Sequence, residues 1–349
     1  MNLSFYKDKK VLITGHTGFK GAWLSKILIN AGAKVVGYSL EAPTCPSLFE
    51  LSGIEGSMTS YIADIRDLQK LSEVFEKEQP EIVLHLAAQA IVRDGYRDPV
   101  FTYATNVMGT VNICECVRQN PCVKSFLNVT TDKVYENCEN NIAFTEDMAL
   151  DGYDPYSNSK SCSELVTHSY KKSYFDLSGT PVSTCRAGNV IGGGDFAKDR
   201  IIPDCVRAME KGETIIVRNP NSTRPYQHVL EPLKIYLMIA QKQYEDSSYQ
   251  GYYNVGPDDR DCRTTGQLVT LFCDLWGEGA DWKDISEKNA PHEANYLRLD
   301  TKKVKETFSW SPRWSVEEAV NKIIEWTKVY LADGDIPAIM DKQISEFFS

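Results

Sequence analysis

The sequence predicts an α/β fold, a doubly wound parallel sheet with a smaller lobe joined to it. Short β-branched runs alternate with longer helical patterns through the first half of the chain. A glycine-rich turn leads from the first run straight into the first helical pattern. After about Ala187 the alternation gives way to glycine-, proline- and asparagine-rich stretches. Strand–helix alternation implies right-handed crossovers, which lay helices on both faces of a parallel sheet.

Residues 10–14 (KVLIT), 34–40 (KVVGYSL), 61–64, 81–87 (EIVLHLA), 125–131 (SFLNVTT) and 182–186 (VSTCR) read as strands, being short and rich in β-branched side chains. Residues 22–31 (AWLSKILINA), 68–78, 100–118 and 157–175 carry helical periodicity between them. Further on, 192–194 and 218–225 read as loops, 229–244 as a helix, 251–255 as a strand and 315–331 as a C-terminal helix. The expected division is 1–187 for the main sheet and 188–349 for the smaller lobe, partly interleaved with it.

At 349 residues the chain is long for one simple core. Its apolar fraction of 42% with 25% charged residues is that of a globular protein. A formal net charge of -10 opposes nonspecific nucleic-acid binding, while leaving room for a phosphorylated ligand in a locally basic pocket. No apolar run reaches the roughly 18–20 residues that span a bilayer. The N-terminal segment MNLSFYK has no secretory apolar region, so the expected location is cytoplasmic and no membrane partner is expected. Ten cysteines are scattered without a Cys-x-x-Cys pair, which reads as free thiols in a reducing compartment. His16, His85, His168, His228 and His292 are dispersed, and no metal site is expected. His85, in an apolar strand, reads as a hydrogen-bonded core residue.

The turn Gly15-His16-Thr17-Gly18-Phe19-Lys20-Gly21 joins the first strand to the first helix. Glycines there allow a tight bend and bring backbone N–H groups at a helix N-terminus close to a diphosphate. This is a dinucleotide-binding feature, and it makes the expected sheet Rossmann-type. An acidic residue ending the second strand would bind the ribose hydroxyls of NAD. That position holds Ser39, with Glu41 two residues on, and Lys20 would suit a ribose phosphate. NAD is the expected cofactor, with NADP left open.

Tyr156-Ser157-Asn158-Ser159-Lys160 sets a tyrosine and a lysine one helical turn apart on one face. Tyr6 and Lys10 share that spacing, so position decides. Tyr156 follows the fifth strand, whose end carries Thr130-Thr131-Asp132-Lys133, at the carboxyl edge where ligands of such sheets bind.

Gly-x-x-Gly-x-x-Gly, Tyr-x-x-x-Lys, Asp64-Ile65, Leu86-Ala87-Ala88-Gln89, Asn106 and Arg186-Ala187-Gly188-Asn189-Val190 together resemble the extended short-chain dehydrogenase/reductases. The resemblance implies that Gly15, Thr17, Gly18, Phe19, Lys20 and Gly21 hold the cofactor with Asp64, Ile65 and the 86–89 turn. It implies that Thr131 hydrogen-bonds the reacting sugar, while Lys160 holds the nicotinamide ribose and favours tyrosinate at Tyr156. Within the superfamily, dehydratases commonly show Thr-Asp-Glu where this chain has Thr-Asp-Lys. That departure, with GYSLEAPTCPSLFE, RAGNVIGGGDFAKDRIIPD, RPYQHVLEP, HEANYLRLD and SPRW, resembles the CDP-glucose 4,6-dehydratases. The implied reaction is oxidation at C4, loss of water across C5 and C6, and hydride return to C6, giving CDP-4-keto-6-deoxyglucose. Asp132 and Lys133 would serve the elimination, Lys133 as base or by stabilising the enolate. A C4 epimerase, or a dehydratase of another nucleotide hexose, is the nearest alternative; a noncatalytic dinucleotide-sensing regulator on the same fold would have little reason to keep Tyr156, Lys160 and Thr131 together.

On the substrate side the resemblance implies that Asn189 and Arg224 bind the nucleotide diphosphate, with His228 close by and Arg298 adding a contact. Arginine suits the task because its planar fork engages phosphate oxygens in pairs. The family commonly dimerises by packing the helices at 100–118 and 157–175 into a four-helix bundle, so a homodimer or a dimer of dimers is expected.

Overall fold

Seven parallel strands form the centre of the computed structural model, which describes residues 2–138, 142–286 and 296–349. They are β1 (Lys10–Thr14), β2 (Lys34–Ser39), β3 (Thr59–Ile62), β4 (Ile82–His85), β5 (Ser125–Val129), β6 (Val182–Ala187) and β7 (Tyr252–Val255). The order across the sheet is β7-β6-β5-β4-β1-β2-β3. Chain order reverses between β1 and β4, and the crevice beyond the carboxyl ends of the strands there is where such sheets bind ligands. Every residue of β4, β5 and β6 is buried, the signature of strands covered on both faces.

One face is covered by the helix Phe19–Asn30 together with Leu230–Glu245 and Ile336–Phe348, through Trp23, Leu24, Leu233, Ile239, Met340 and Phe347. The other face meets Leu68–Glu78 and the helical stretches at 99–119 and 155–175, through Leu71, Phe75, Ile113, Val117 and Phe175. A separate core holds the lobe, where Ile201–Lys211, Thr265–Trp276 and Val316–Leu331 pack around Ile202, Cys205, Ile215, Phe272 and Ile323. Residues beyond 187 also serve the main sheet: β7 pairs with β6, and the helix Leu230–Glu245 packs on its face.

Most strand expectations run too long at the carboxyl end. β4 stops at His85 and β5 at Val129, and the residues beyond them turn toward the ligand crevice instead of pairing. β3 is shifted toward the N-terminus, covering Thr59–Ile62. The helices Ile201–Lys211, Thr265–Trp276 and Ile336–Phe348 had no counterpart in the sequence reading. The helical stretch at 99–119 widens to π-type winding over Ala104–Met108. Such a bulge turns side chains out of register, a common device beside functional sites. Here Asn106 reaches both the 86–89 turn and the neighbouring helix, donating to Gln89 O (3.0 Å) and Ser159 Oγ (2.9 Å).

All ten cysteines are free. No helix among the described residues is long and apolar enough to cross a membrane.

Three buried histidines set the acid limit of the fold. Burial lowers His16 from 6.5 to about 4, and lowers His85 and His228 to about 3, with Lys160 and Lys322 adding to the last two. Each ring is neutral in the native state and takes up a proton near 6.5 once unfolded. Their contribution is therefore complete above 6.5 and is lost as pH falls toward the native values. Glu231 acts oppositely: burial raises it from 4.5 to about 7, so its contribution falls as pH rises through that window. Urea unfolding at about pH 7.5 and about pH 5 should show a net loss on acidification, histidines outnumbering the glutamate. Glu231→Gln keeps the acceptor for the Arg313 and Trp314 N–H groups (2.8 and 2.7 Å) and should make the acid loss steeper. A shallower loss would contradict the assignment.

Candidate active site

The turn after β1 bends at Gly15, whose φ of +78° suits glycine. A Cβ at Gly15 would lie 2.9 Å from Ala87 N, and one at Gly21 only 2.1 Å from Gly15 O. The backbone is thus pressed together, leaving the helix start exposed to a ligand. Gly18 occupies the N-cap without a side chain to satisfy the first N–H groups of Phe19–Asn30. Orphan N–H donors at a helix N-terminus beside a glycine cradle fit the diphosphate of a dinucleotide. Thr17 anchors the turn to the end of β2, with its hydroxyl 2.9 Å from Ser39 Oγ and donating to Leu40 O (2.9 Å).

Thr14 Oγ1 accepts from the N–H groups of Leu86 and Ala87 (3.1 Å each) and lies 2.7 Å from His85 Nδ1. His85 is therefore a hydrogen-bonded core residue. Gln89 is fixed by Asn106 Oδ1, which accepts from its N–H (2.9 Å), while Ala88 lies half-buried between these holds. Asn112 donates to Ile65 O (3.0 Å). Asp64 is held below the usual carboxylate range by its hydrogen bonds from Arg66, the closest at 2.5 Å.

Lys20 points into the cleft between sheet and lobe. Burial and Arg200 lower it to about 8, with Asp132 and Asp195 opposing. This corrects the reading of Lys20 as a partner for a ribose phosphate, since its side chain lies in the cleft near Asp132, Asp195 and Arg200 and not at the end of β2.

The cleft encloses about 310 Å³, and Thr131, Asp132, Lys133 and Tyr156 line it together. Asp154 caps the helix Pro155–Tyr170 by accepting from Ser157 N (3.0 Å), and Pro155 starts it with a fixed φ. Tyr156 therefore stands in the first turn, facing the ends of β5 and β6. Gly95 admits it closely; a Cβ there would lie 3.2 Å from Tyr156 N. Burial raises Tyr156 to about 12, while the Thr131 hydroxyl beside it works the other way. Lys160 is buried and donates to Val129 O (3.2 Å), and burial, then Lys20, lower it to about 8.

Thr131 donates to Asp132 Oδ1 (3.0 Å), and Lys133 Nζ lies 3.8 Å from the same oxygen. Asp132 is almost fully buried, and its Oδ2 has no hydrogen-bond partner. Gly188 makes room for it; a Cβ there would fall 2.6 Å from Asp132 Oδ2. A carboxyl group, an amino group, a phenol and a hydroxyl thus converge on one volume, an arrangement suited to proton traffic on a polyhydroxylated ligand.

Asn189 and Arg224 line the opposite wall, and Arg224 is buried there, donating to Thr223 O (3.0 Å). Arg218, which alone reads as a loop charge, also lines it and pairs with Asp199 (2.6 Å). Arg93 and the Asp195–Arg200 pair (3.2 Å) are cleft residues that the sequence reading passed over; their one trace is ordinary charge in loops. His228 and Arg298 are corrections. His228 is fully buried, accepts from Leu230 N (3.3 Å) and packs against Trp314 (ring centroids 4.8 Å apart), so it is no part of the cleft wall. Arg298 pairs with Asp259 (3.1 Å) and is not among the side chains lining the cleft. The stretch quoted from His292 onward lies in part outside the described residues.

A protein-family model described as GDP-mannose 4,6 dehydratase matches residues 12–323. The chain is 45% identical to a CDP-glucose 4,6-dehydratase of Salmonella typhimurium, over 99% of this chain and 98% of that protein. It is 26% identical to a dTDP-glucose 4,6-dehydratase of Shigella flexneri, over 93% of each. Among solved structures, a dTDP-glucose 4,6-dehydratase from Bacillus anthracis in complex with NAD superposes with a TM-score of 0.78 at 21% identity, covering 92% of this chain and 96% of that one. A Thermus thermophilus UDP-glucose 4-epimerase complex with NAD superposes with a TM-score of 0.80 at 22% identity, covering 91% and 99%. These two likenesses are of fold.

Proposed function

The chain belongs to the GDP-mannose 4,6 dehydratase family, and from that membership we propose that it converts CDP-glucose to CDP-4-keto-6-deoxyglucose with NAD as cofactor. The observation that carries the reading is the 45% identity along the whole chain to a CDP-glucose 4,6-dehydratase. The convergence of Thr131, Asp132, Lys133 and Tyr156 on one cleft supports it. The end of β2 presents Ser39 and, two residues on, Glu41, with no base between them, which favours ribose hydroxyls over a ribose phosphate.

A bound nicotinamide, held by the Gly15–Gly21 turn and Lys160, would supply the acceptor for the C4 hydride and return that hydride to C6. Tyr156 takes the proton of the sugar C4 hydroxyl, which Thr131 holds by a hydrogen bond. The resulting C4 ketone acidifies C5–H. Water then leaves across C5 and C6 with the help of Lys133, as base or by stabilising the enolate, and of Asp132 at the departing C6 hydroxyl, so a C5–C6 double bond forms conjugated to the ketone. The phosphates lie toward Asn189 and Arg224.

Incubation with CDP-, GDP-, UDP- and dTDP-hexoses, followed by mass spectrometry, tests the reading. Loss of one water from CDP-glucose alone, with no net cofactor reduction, is the expected result. Water loss from another nucleotide hexose would move the substrate, and interconversion without mass change would replace dehydration by epimerisation. Lys133→Met should lower water loss by about a hundredfold or more, as removal of a positioned base does. Unchanged C5 solvent exchange in that variant would assign the C5 proton elsewhere.

Two helical stretches leave apolar side chains in water: Val100 and Met108 on one, Leu165 and Leu177 on or just beyond the other, with Val100 78% exposed. A second copy covering this face as a four-helix bundle accounts for them. Sedimentation at micromolar concentration should show a dimer or a dimer of dimers; a monomer alone would refute the packing. Free thiols throughout suit a reducing compartment such as the cytoplasm.

A further inference from the structure

One buried polar chain lies behind the cleft and touches neither ligand site. We propose that Tyr135, gripped by Arg186 and Asn254, is a positioning residue that sets Lys133 for water elimination separately from the C4 oxidation served by Tyr156. The inference rests on the dehydratase reading and deepens it.

Asp132–Val134 form a single tight turn after β5, and its own cap, Lys133 N to Thr131 Oγ1, is long at 3.5 Å. A turn this short needs outside holds to keep the Lys133 side chain in place. One is Ser161, which donates to Val134 O (2.7 Å) from the helix that carries Tyr156. A second is the backbone bridge between Tyr135 and Leu150. A third is the side chain of Tyr135. Its hydroxyl donates to Asn254 Oδ1 (2.6 Å) and accepts from Arg186 Nη1 (2.8 Å). Arg186 and Asn254 face each other across β6 and β7, so the grip comes from the rigid sheet. All three side chains are buried.

The second guanidinium nitrogen of Arg186 donates to Glu164 Oε2 (2.9 Å). Glu164 lies one helical turn beyond Lys160, which lies one turn beyond Tyr156. Its other oxygen accepts from Thr130 (2.5 Å), the residue before Thr131. Lys160, Thr130 and Glu164 thus tie the helix to the end of β5 without passing through Tyr135. The Tyr135 hydroxyl joins the sheet to the far end of the Lys133 turn, beside the hold from Ser161 and the backbone bridge Tyr135–Leu150. Its removal loosens the turn and leaves the ties of Lys160, Thr130 and Glu164 in place.

Tyr135→Phe deletes that hydroxyl and keeps the ring stacked on Phe144, with centroids 4.9 Å apart and planes at 11°. A misplacement of about 1 Å at a reacting group costs on the order of a hundredfold. Ser183→Ala is the control. It removes an equally buried hydroxyl on β6, which donates to Gln243 Oε1 (2.6 Å), and has no link to the turn.

The experiment follows CDP-glucose with cofactor-loaded protein in deuterium oxide, with quenched samples read by mass spectrometry. Hydrogen exchange of the 132–136 amides is measured on the protein alone. For Tyr135→Phe, C4 oxidation should stay within about twofold of wild type while C5 exchange and water loss fall roughly ten- to a hundredfold. The 4-keto hexose with its C6 hydroxyl should accumulate, and the 132–136 amides should exchange faster. Ser183→Ala should move none of these. Equal slowing of oxidation and elimination, or no slowing of either, overturns the proposal. If wild-type protein neither oxidises nor dehydrates CDP-glucose, the dehydratase reading has failed first and the elimination role falls with it.

Discussion

Tyr156→Phe is expected to lower kcat by about a thousandfold, the contribution of a positioned general base. The loss corresponds to about 4 kcal/mol of transition-state stabilisation, and it should fall on chemistry rather than binding. The ring stays, Gly95 still admits the Tyr156 backbone closely, and only the phenolic oxygen proposed to take the C4 hydroxyl proton is removed. Thr131 keeps its hydrogen bond to Asp132 (3.0 Å), so the elimination groups remain in place. Single-turnover measurement should show C4 oxidation itself slowed, with CDP-glucose affinity by calorimetry close to wild type. Wild-type oxidation by the variant would remove Tyr156 from the reaction.

Glu164→Leu is expected to destabilise the chain by about 3–5 kcal/mol, the cost of leaving a buried charge without its partner. Glu164 and Arg186 are each nearly inaccessible to water and lie 2.9 Å apart. Burial alone would lower Arg186, yet Glu164 and Tyr135 outweigh it and raise the guanidinium further above its ordinary value. The leucine would also strand the Thr130 and Thr184 hydroxyls, which donate to the carboxylate at 2.5 and 2.8 Å. Urea denaturation should record the loss as a lower midpoint at unchanged slope. The double variant Glu164→Leu with Arg186→Met should recover much of it, because replacing both members of a buried pair by apolar groups removes the unpaired charge. A single-variant loss below about 1 kcal/mol, typical of exposed pairs, would show that water reaches the site.

The phosphate turn was legible because its chemistry is local. Glycine spacing, a preceding apolar strand and a following helix lie within a dozen residues, and backbone sterics require them together. Tyr156 and Lys160 were legible for the same reason, since helical geometry alone aligns residues four apart. Thr131 to Lys133 followed from their place at the end of a strand. The lobe was read poorly. Ile201–Lys211 and Thr265–Trp276 bury their apolar faces against each other and against Val316–Leu331, partners separated by long stretches of chain. Each also carries a local signal that went unread: the Thr264–Gln267 capping box starts Thr265–Trp276, and left-handed Gly212 ends Ile201–Lys211.

Side-chain destinations were the least legible. Arg224 and Arg298 look alike in sequence, yet Arg224 is buried in the cleft wall and Arg298 is taken up by Asp259. His228 sits in a segment shared with the substrate wall, but its ring is turned into an aromatic core between Trp23 and Trp314. Lys20 was placed near the cofactor ribose and instead faces the charges of the cleft.

By itself the sequence determined the parallel sheet, the dinucleotide turn and the tyrosine–lysine helix, because each follows from steric and periodic rules acting over a few neighbouring residues. Only the tertiary structure decided that Glu164, Arg186, Tyr135 and Asn254 form one buried chain behind the catalytic turn. Those four side chains come from a helix, two strands and a loop, and a hydrogen bond between them exists only once the sheet has brought its strand ends together in three dimensions.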